Sequence, residues 1–288
     1  MRDTASPLQD LALMKPWPSL LLMLFPAISF AAEAPPDPGT ALITGSDRGI
    51  GFALVQEFES RGWQVIATAR DPAKSTDLQA FAKDHPRVSV EKLDVTDTAG
   101  IDALAAKLKD RPIDALVNNA GIAGTFEGQQ IGKLDQDEFV RVLRVNSYGP
   151  LRVSAAFLDH VAASKQKKIV GISSGYGSVA SVENVASAGY PSSYFYAMSK
   201  AALNMGLREF ALDPGAKRGV ITVLLSPGAV DTDMQRQIRS DVAQAGKPIT
   251  APTRTPAEVA HALVLSIEQL TPEQNGKFLS ISGKEVPW

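Results

Sequence analysis

Thr40-Ala41-Leu42-Ile43-Thr44-Gly45-Ser46-Asp47-Arg48-Gly49-Ile50-Gly51 decides the fold of this chain. A β-like run (Thr40 to Thr44) enters a glycine turn, and a helix-like run (Phe52 to Arg61) leaves it. The first glycine allows a turn with positive φ, the second lets a phosphate approach bare backbone, and the third lets the helix pack closely on its strand. Free N–H groups at the helix N-terminus then face the anion. Glycine clusters also make ordinary turns, so the rest of the chain has to decide whether this one holds a dinucleotide.

Outward from the turn, β-branched runs alternate with longer amphipathic segments. The expected strands are Thr40 to Thr44, Gln64 to Ala69, Val88 to Leu93, Ala115 to Asn118, Lys168 to Ser173, Val220 to Leu225 and Lys277 to Ile281. Helical spacing marks Phe52 to Arg61, Ile101 to Lys109, Gln136 to Ala162, Tyr196 to Leu212 and Pro256 to Gln269. Strand and helix taking turns implies a parallel sheet covered on both faces. The expectation is an α/β fold, a Rossmann-type doubly wound seven-stranded sheet in one domain over residues 39–288, with ligands beyond the carboxyl ends of the strands. Residues 230–255 carry Gly246, Pro248 and Pro252 and read as a mobile, lid-like helix and loop.

Composition excludes several classes. The 288 residues carry 29 positive and 31 negative side chains, net charge −2, so no basic surplus points to nucleic acid. Cysteine is absent, which removes disulfides, thiolate metal sites and cysteine nucleophiles. His85, His160 and His261 lie far apart without ligand-like spacing, and no metal site is expected. Residues 1–38 differ from the rest: Lys15, an apolar stretch from Leu20 to Phe30, small residues at Ala31, Ala32 and Ala34, then Pro35, Pro36 and Pro38. That order resembles a secretory signal, too short to span a bilayer comfortably. It suggests an exported or membrane-associated protein; a disordered extension on a cytoplasmic protein is the alternative.

Tyr196 and Lys200, four apart on a helix-like segment, face one ligand together. Such a pair alone could be a solvated helix face, and its company decides the matter. Asn118-Asn119-Ala120-Gly121 ends the fourth strand, Asn146 sits in the following helix, Ser173-Ser174 closes the fifth strand, and Pro227-Gly228-Ala229-Val230-Asp231-Thr232 follows the sixth.

In this order the elements resemble the short-chain dehydrogenase/reductase family from Thr40 to Ile281, and the single-domain carbonyl-reductase and C-factor-like branch most of all. The resemblance implies a catalytic tetrad of Asn146, Ser174, Tyr196 and Lys200. It implies nicotinamide cofactor contacts from Gly45, Ser46, Arg48, Gly49, Ile50 and Gly51, and from Asn119, Ala120 and Gly121. Asp94 and Val95 match the family's adenine-contacting pair, and Thr232 its carboxamide contact, with Pro227, Gly228 and Val230 in the same run. Ser174 rather than Ser173 matches the family serine, the second of such a pair. It stands 22 residues before Tyr196, an insertion relative to many single-domain members. On the family's pattern Asn146 steadies a water linking Lys200 to solvent. Family members are commonly homodimers or homotetramers.

Physics gives the tetrad roles. A phenol titrates near 10, and an ammonium at about 4 Å, at an effective dielectric near 20, favours phenolate by roughly 4 kcal/mol. That expectation brings Tyr196 to about 7, where it works as general acid and base. Lys200 would also hold the nicotinamide ribose, and Ser174 would hydrogen-bond the substrate oxygen as it gains charge. Cofactor preference is read at the second strand's end, where NAD enzymes place a carboxylate. Here stand Ala69 and Arg70, with Arg48 nearby, which argues for NADP(H) over NAD(H). Asp71, before Pro72, begins a turn instead of reaching the ribose.

The expected activity is hydride transfer between NADP(H) and a carbonyl or alcohol substrate. The rival is a C-factor-like signalling protein that binds nicotinamide with little turnover. Tyr176, Tyr190, Tyr194, Phe195 and Met234 fit an apolar carbonyl compound, and equally fit loop packing or a subunit interface.

Overall fold

The computed structural model describes residues 38–288, apart from 188, 245, 247, 248 and 250. The expectation of a signal-like segment therefore lies outside the described residues. The chain runs β1 (Thr40–Ile43), α1 (Gly49–Ser60), β2 (Gln64–Ala69), α2 (Thr76–Asp84), β3 (Val88–Lys92), α3 (Thr98–Lys107) and β4 (Ala115–Asn118). It continues through α4 (Gln136–Leu143), α5 (Gly149–Ala156), α6 (Leu158–Ala162), β5 (Lys168–Ile172), α7 (Val182–Ser187) and α8 (Tyr194–Phe210). It ends with β6 (Ile221–Ser226), α9 (Asp233–Gln244), α10 (Pro256–Glu268) and β7 (Phe278–Ser280).

All seven strands form one parallel sheet in the order β3-β2-β1-β4-β5-β6-β7. The central strands bury both faces because their side chains alternate between two cores, while edge strand β3 buries only Val88 fully. Ala41 and Ile43 face α1 and α10, packing with Leu54, Phe58, Leu263 and Ile267. Leu42, one residue between them, faces the other side with Ile101, Leu104, Val153 and Phe157. A third cluster, Leu203 and Leu207 of α8 against Leu224 and Phe278, closes the far end of the sheet. Chain order reverses between β1 and β4, and the crevice beyond their carboxyl ends is the natural ligand site.

The single helix expected over Gln136 to Ala162 is three helices. A π-helical turn at Arg144–Tyr148 separates α4 from α5, and Phe157 (φ −100°, ψ 7°) separates α5 from α6. Pro150 supplies the reason for the first break, since it has no N–H to give the carbonyl of Asn146 four residues back. Two further elements were not foreseen: α2, and the short α7 inside the insertion. Helix α8 begins two residues earlier than expected, at Tyr194, and gives way to a second π-helical turn at Ala211–Gly215 containing Pro214.

Candidate active site

The glycine turn is built by exclusion of side chains. Gly45 has φ +66°, and a Cβ there would sit 2.9 Å from the Ala120 backbone. A Cβ on Gly51 would lie 2.0 Å from the Gly45 carbonyl oxygen, so α1 can approach its strand this closely only with glycine. Arg48, the N-cap of α1, makes no side-chain cap, so its first N–H groups stay available for an anion. Asn119 locks the turn by donating its Nδ2 to the carbonyls of Thr44 (2.9 Å) and Gly45 (3.0 Å). Thr44, buried, accepts the N–H groups of Asn119 and Ala120 at 3.0 Å each.

Beyond the strand ends lies one large cavity of about 1030 Å³. Gly45, Arg48, Gly49, Ile50 and Gly51 line it with Arg70, Asp94 and Val95, as do Asn119, Ala120 and Gly121, Ser174, Tyr196 and Lys200, and Gly228; Thr232 joins them beside Gly49, where an added Cβ would stand 3.3 Å from its methyl. Four expected residues do not face it. Ser46 is fully buried under the turn, donating to the Ile43 carbonyl (2.9 Å) and accepting the Thr68 N–H (3.3 Å). Pro227 and Val230 sit behind the wall; Val230 bridges to Arg254, which clasps the loop. Asn146 is fully buried behind Gly121: its Oδ1 accepts the Ile122 N–H at 2.9 Å, and its Nδ2 donates to the Ile122 carbonyl (2.7 Å) and to Ser199 (2.9 Å). A Cβ added to Gly121 would stand 3.4 Å from Asn146 Oδ1 and 3.7 Å from Lys200 Nζ, so these two side chains share one neighbourhood.

Ser174 accepts the Tyr176 N–H (3.3 Å) and hydrogen-bonds the Tyr196 phenol. Ser173 instead donates to Asn204 of α8 at 2.5 Å, a structural bond. Lys200 donates to the Ile172 carbonyl at 2.8 Å and stands 5.6 Å from the centroid of the Tyr196 ring. The expected acidic phenol is not what this arrangement produces. Burial pushes Tyr196 up, with the Ser174 hydrogen bond opposing only part of it. Burial also brings Lys200 down to about 8. Both groups lose hydration, and the ammonium is engaged by a carbonyl, so desolvation outweighs the attraction that sequence spacing suggested.

At the ribose end Ala69 is buried and offers no carboxylate. Asp71 pairs with Lys74 at 3.0 Å in the turn that Pro72 starts, and does not line the cavity. The aromatic insertion divides. Tyr176 and Tyr190 line the cavity, their rings 6.2 Å apart, and Tyr176 meets Tyr196 edge-on at 5.7 Å. Burial raises the Tyr176 phenol to about 12, and it donates to the Pro191 carbonyl. Phe195 packs inward on Phe139 (5.3 Å), while Tyr194 points outward. Met234 lines the cavity from α9, so the segment read as a lid contributes a helix to the wall. Gln129, unmarked by any sequence motif, is buried in the same wall.

The short chain dehydrogenase family model matches residues 39–243. The chain belongs to the short-chain dehydrogenase/reductase family. It is therefore an oxidoreductase of that family. The short chain dehydrogenase gsfK of Penicillium aethiopicum is 35% identical over 260 residues, 87% of this chain and 100% of that protein. The C-signal protein of Myxococcus xanthus is 33% identical over 186 residues, 65% of this chain and 99% of its own length. Among solved structures, the NADPH-bound carbonyl reductase from chicken fatty liver superposes with a TM-score of 0.75 at 30% identity, covering 86% of this chain and 98% of that one.

Proposed function

We propose that this oxidoreductase moves hydride between NADP(H) and a small carbonyl or alcohol substrate, with Tyr196 exchanging the proton. The observation that carries the reading is the single cavity joining an anion-ready helix start, flanked by Arg48 and Arg70, to Ser174, Tyr196 and Lys200. The glycine cradle and the two guanidiniums fit a dinucleotide carrying a 2'-phosphate. The NADPH-bound chicken carbonyl reductase supports the same cofactor and substrate class. When bound, the reduced nicotinamide supplies the hydride. Ser174 and Tyr196 then converge on the substrate oxygen: Ser174 hydrogen-bonds it as charge develops, and Tyr196 donates its proton. Lys200, one helical turn away, stabilises the phenolate left behind. The test is oxidation of NADPH and NADH, followed side by side, with a panel of aldehydes and ketones. Tyr196→Phe is expected to keep NADPH binding and lose turnover; full rate in that variant removes Tyr196 from its role.

The similarity to the C-signal protein favours a second reading, a nicotinamide-binding signalling protein with little turnover. Absence of turnover with every carbonyl, alongside tight NADPH binding, would select it. We also propose a homodimer or homotetramer. Met198, Met205 and Leu212 recur every seven residues on the outward side of α8 and the turn after it, all exposed, beside exposed Tyr148 and Leu151. Sedimentation analysis showing a monomer would reject this. Export or membrane association rests on residues 1–38 alone, and N-terminal sequencing of native protein tests for processing near Ala31 or Ala34.

A further inference from the structure

A helix leaves its first N–H groups without intrahelical partners, and α8 is no exception. Its own N-cap residue, Ser193, makes no side-chain cap. The acceptor comes from 66 residues earlier in sequence: Gln129 Oε1 takes the N–H of Phe195 at 2.9 Å and that of Tyr196 at 3.2 Å. Its Nε2 donates to the carbonyls of Ala123 and Thr125, both at 3.0 Å. One buried amide thus fills all four of its hydrogen-bonding positions. The amide's orientation follows from the network, since the reverse would set its NH2 against two backbone N–H groups.

The segment wrapped around this amide is itself fixed. Gly124 takes φ +77°, and a Cβ there would lie 3.1 Å from Gln129 Nε2 and 2.9 Å from Val142. Glu138 of α4 accepts the Thr125 N–H at 2.6 Å and is braced by Arg141 at 2.7 and 2.8 Å. A rigid wall therefore delivers an acceptor to the first turn of α8, and one of the two N–H groups it receives belongs to Tyr196.

We propose that Gln129 is a positioning residue, which caps the first turn of α8 through these two direct hydrogen bonds and holds the Tyr196 phenol in register with Ser174. The inference rests on the reading that Tyr196 donates the proton. A displacement on the order of 1 Å at a reacting group costs about 100-fold in rate. Gln129 touches neither the glycine turn nor either arginine, so cofactor binding is spared.

The test compares wild type, Tyr196→Phe, Gln129→Met and Gln129→Glu in the NADPH-linked carbonyl assay. Methionine keeps the length and removes acceptor and donors; glutamate keeps the acceptor. In Gln129→Met we expect kcat to fall about 10- to 100-fold, NADPH Kd to stay within about threefold, and the solvent deuterium isotope effect on kcat to rise as proton donation becomes limiting. In Gln129→Glu kcat should lie within about fivefold of wild type. Full kcat in Gln129→Met, or a change confined to KM, overturns the proposal, as does equal slowing in both variants, which would assign the effect to the bonds with Ala123 and Thr125. If Gln129→Met does not fold, Gln129→Asn, whose amide falls one methylene short of α8, is read by the same criteria, and full kcat in it overturns the proposal. Wild type that binds NADPH yet reduces no carbonyl sinks the reading of function and this inference together; an active wild type with a full-rate Gln129→Met sinks this inference alone.

Discussion

Exchanging Lys200 for methionine removes a buried cation without changing the length of the side chain. Burial lowers this ammonium from 10.5 to about 8, so the fold disfavours its charged form by about 3 kcal/mol. The folded value lies below the unfolded one. Unfolded chain therefore holds the extra proton between about 8 and 10.5, and the wild type gains stability as pH rises through that window. Below it the full penalty applies. Methionine escapes the penalty but leaves the Ile172 carbonyl without its 2.8 Å donor, a loss of about 1–2 kcal/mol. At pH 7 the variant should be the more stable chain by about 1–2 kcal/mol, and this advantage should vanish or reverse toward pH 10.5. Urea denaturation of both chains at pH 7 and pH 10 reads the difference, and subtracting one from the other cancels most of what Tyr196 contributes. Turnover in the NADPH-linked assay should be lost at the same time. A variant less stable at pH 7, or a difference that does not move with pH, would refute the reasoning.

Arg48→Ala and Arg70→Ala should each weaken NADPH binding about tenfold, the lower end for charge-assisted contacts because both side chains are exposed, while NADH affinity changes less than about twofold. Parallel fluorescence titrations check this, and equal losses for the two cofactors would count against the arginines as phosphate ligands. Trp288 packs on Phe278 (5.7 Å) under the Arg208 guanidinium (4.5 Å), and its carbonyl accepts the Ala180 N–H (2.8 Å). Trp288→Ala should cost about 1–3 kcal/mol and speed proteolytic nicking of the insertion after Ser174, measured by urea denaturation and limited proteolysis.

The fold was legible because its signal is repeated. Seven β-branched runs and the glycine turn each point to the same parallel sheet, and a boundary error of one or two residues in any of them changes nothing. The helical connections were less legible where local chemistry overrides periodicity. Gln136 to Ala162 keeps apolar spacing throughout, yet Pro150 interrupts its hydrogen bonding and yields the π-helical turn that buries Asn146. Pro150 was the available signal. Of the expected site, all but Ser46, Asn146, Pro227 and Val230 line the cavity, whereas Gln129 and Thr44 act through side-chain bonds to backbone from 66 and 75 residues away. No spacing rule encodes such contacts. Ser46 shows the converse, since a position inside a motif can belong to the interior of the turn.

Tyr196 carries the largest physical correction, and it has a directional consequence. Spacing gave a lysine one turn away and hence an acidic phenol; the structure supplies burial, which raises the phenol and lowers the lysine. A neutral phenol carries the proton that reduction needs, as a weaker acid than a free tyrosine, and is no base until it ionises. The residues as arranged therefore suit delivery of a proton to a carbonyl, and alcohol oxidation has to wait for the phenol to ionise. With saturating cofactor, the oxidation rate should climb with pH from 7 to beyond 9, whereas reduction should hold through neutrality and fall above about 8 as Lys200 loses its charge. Rate profiles in both directions test this. An oxidation rate already on its plateau at pH 7 would mean that attraction from Lys200 overcomes desolvation after all, and that the spacing was the better guide to the chemistry.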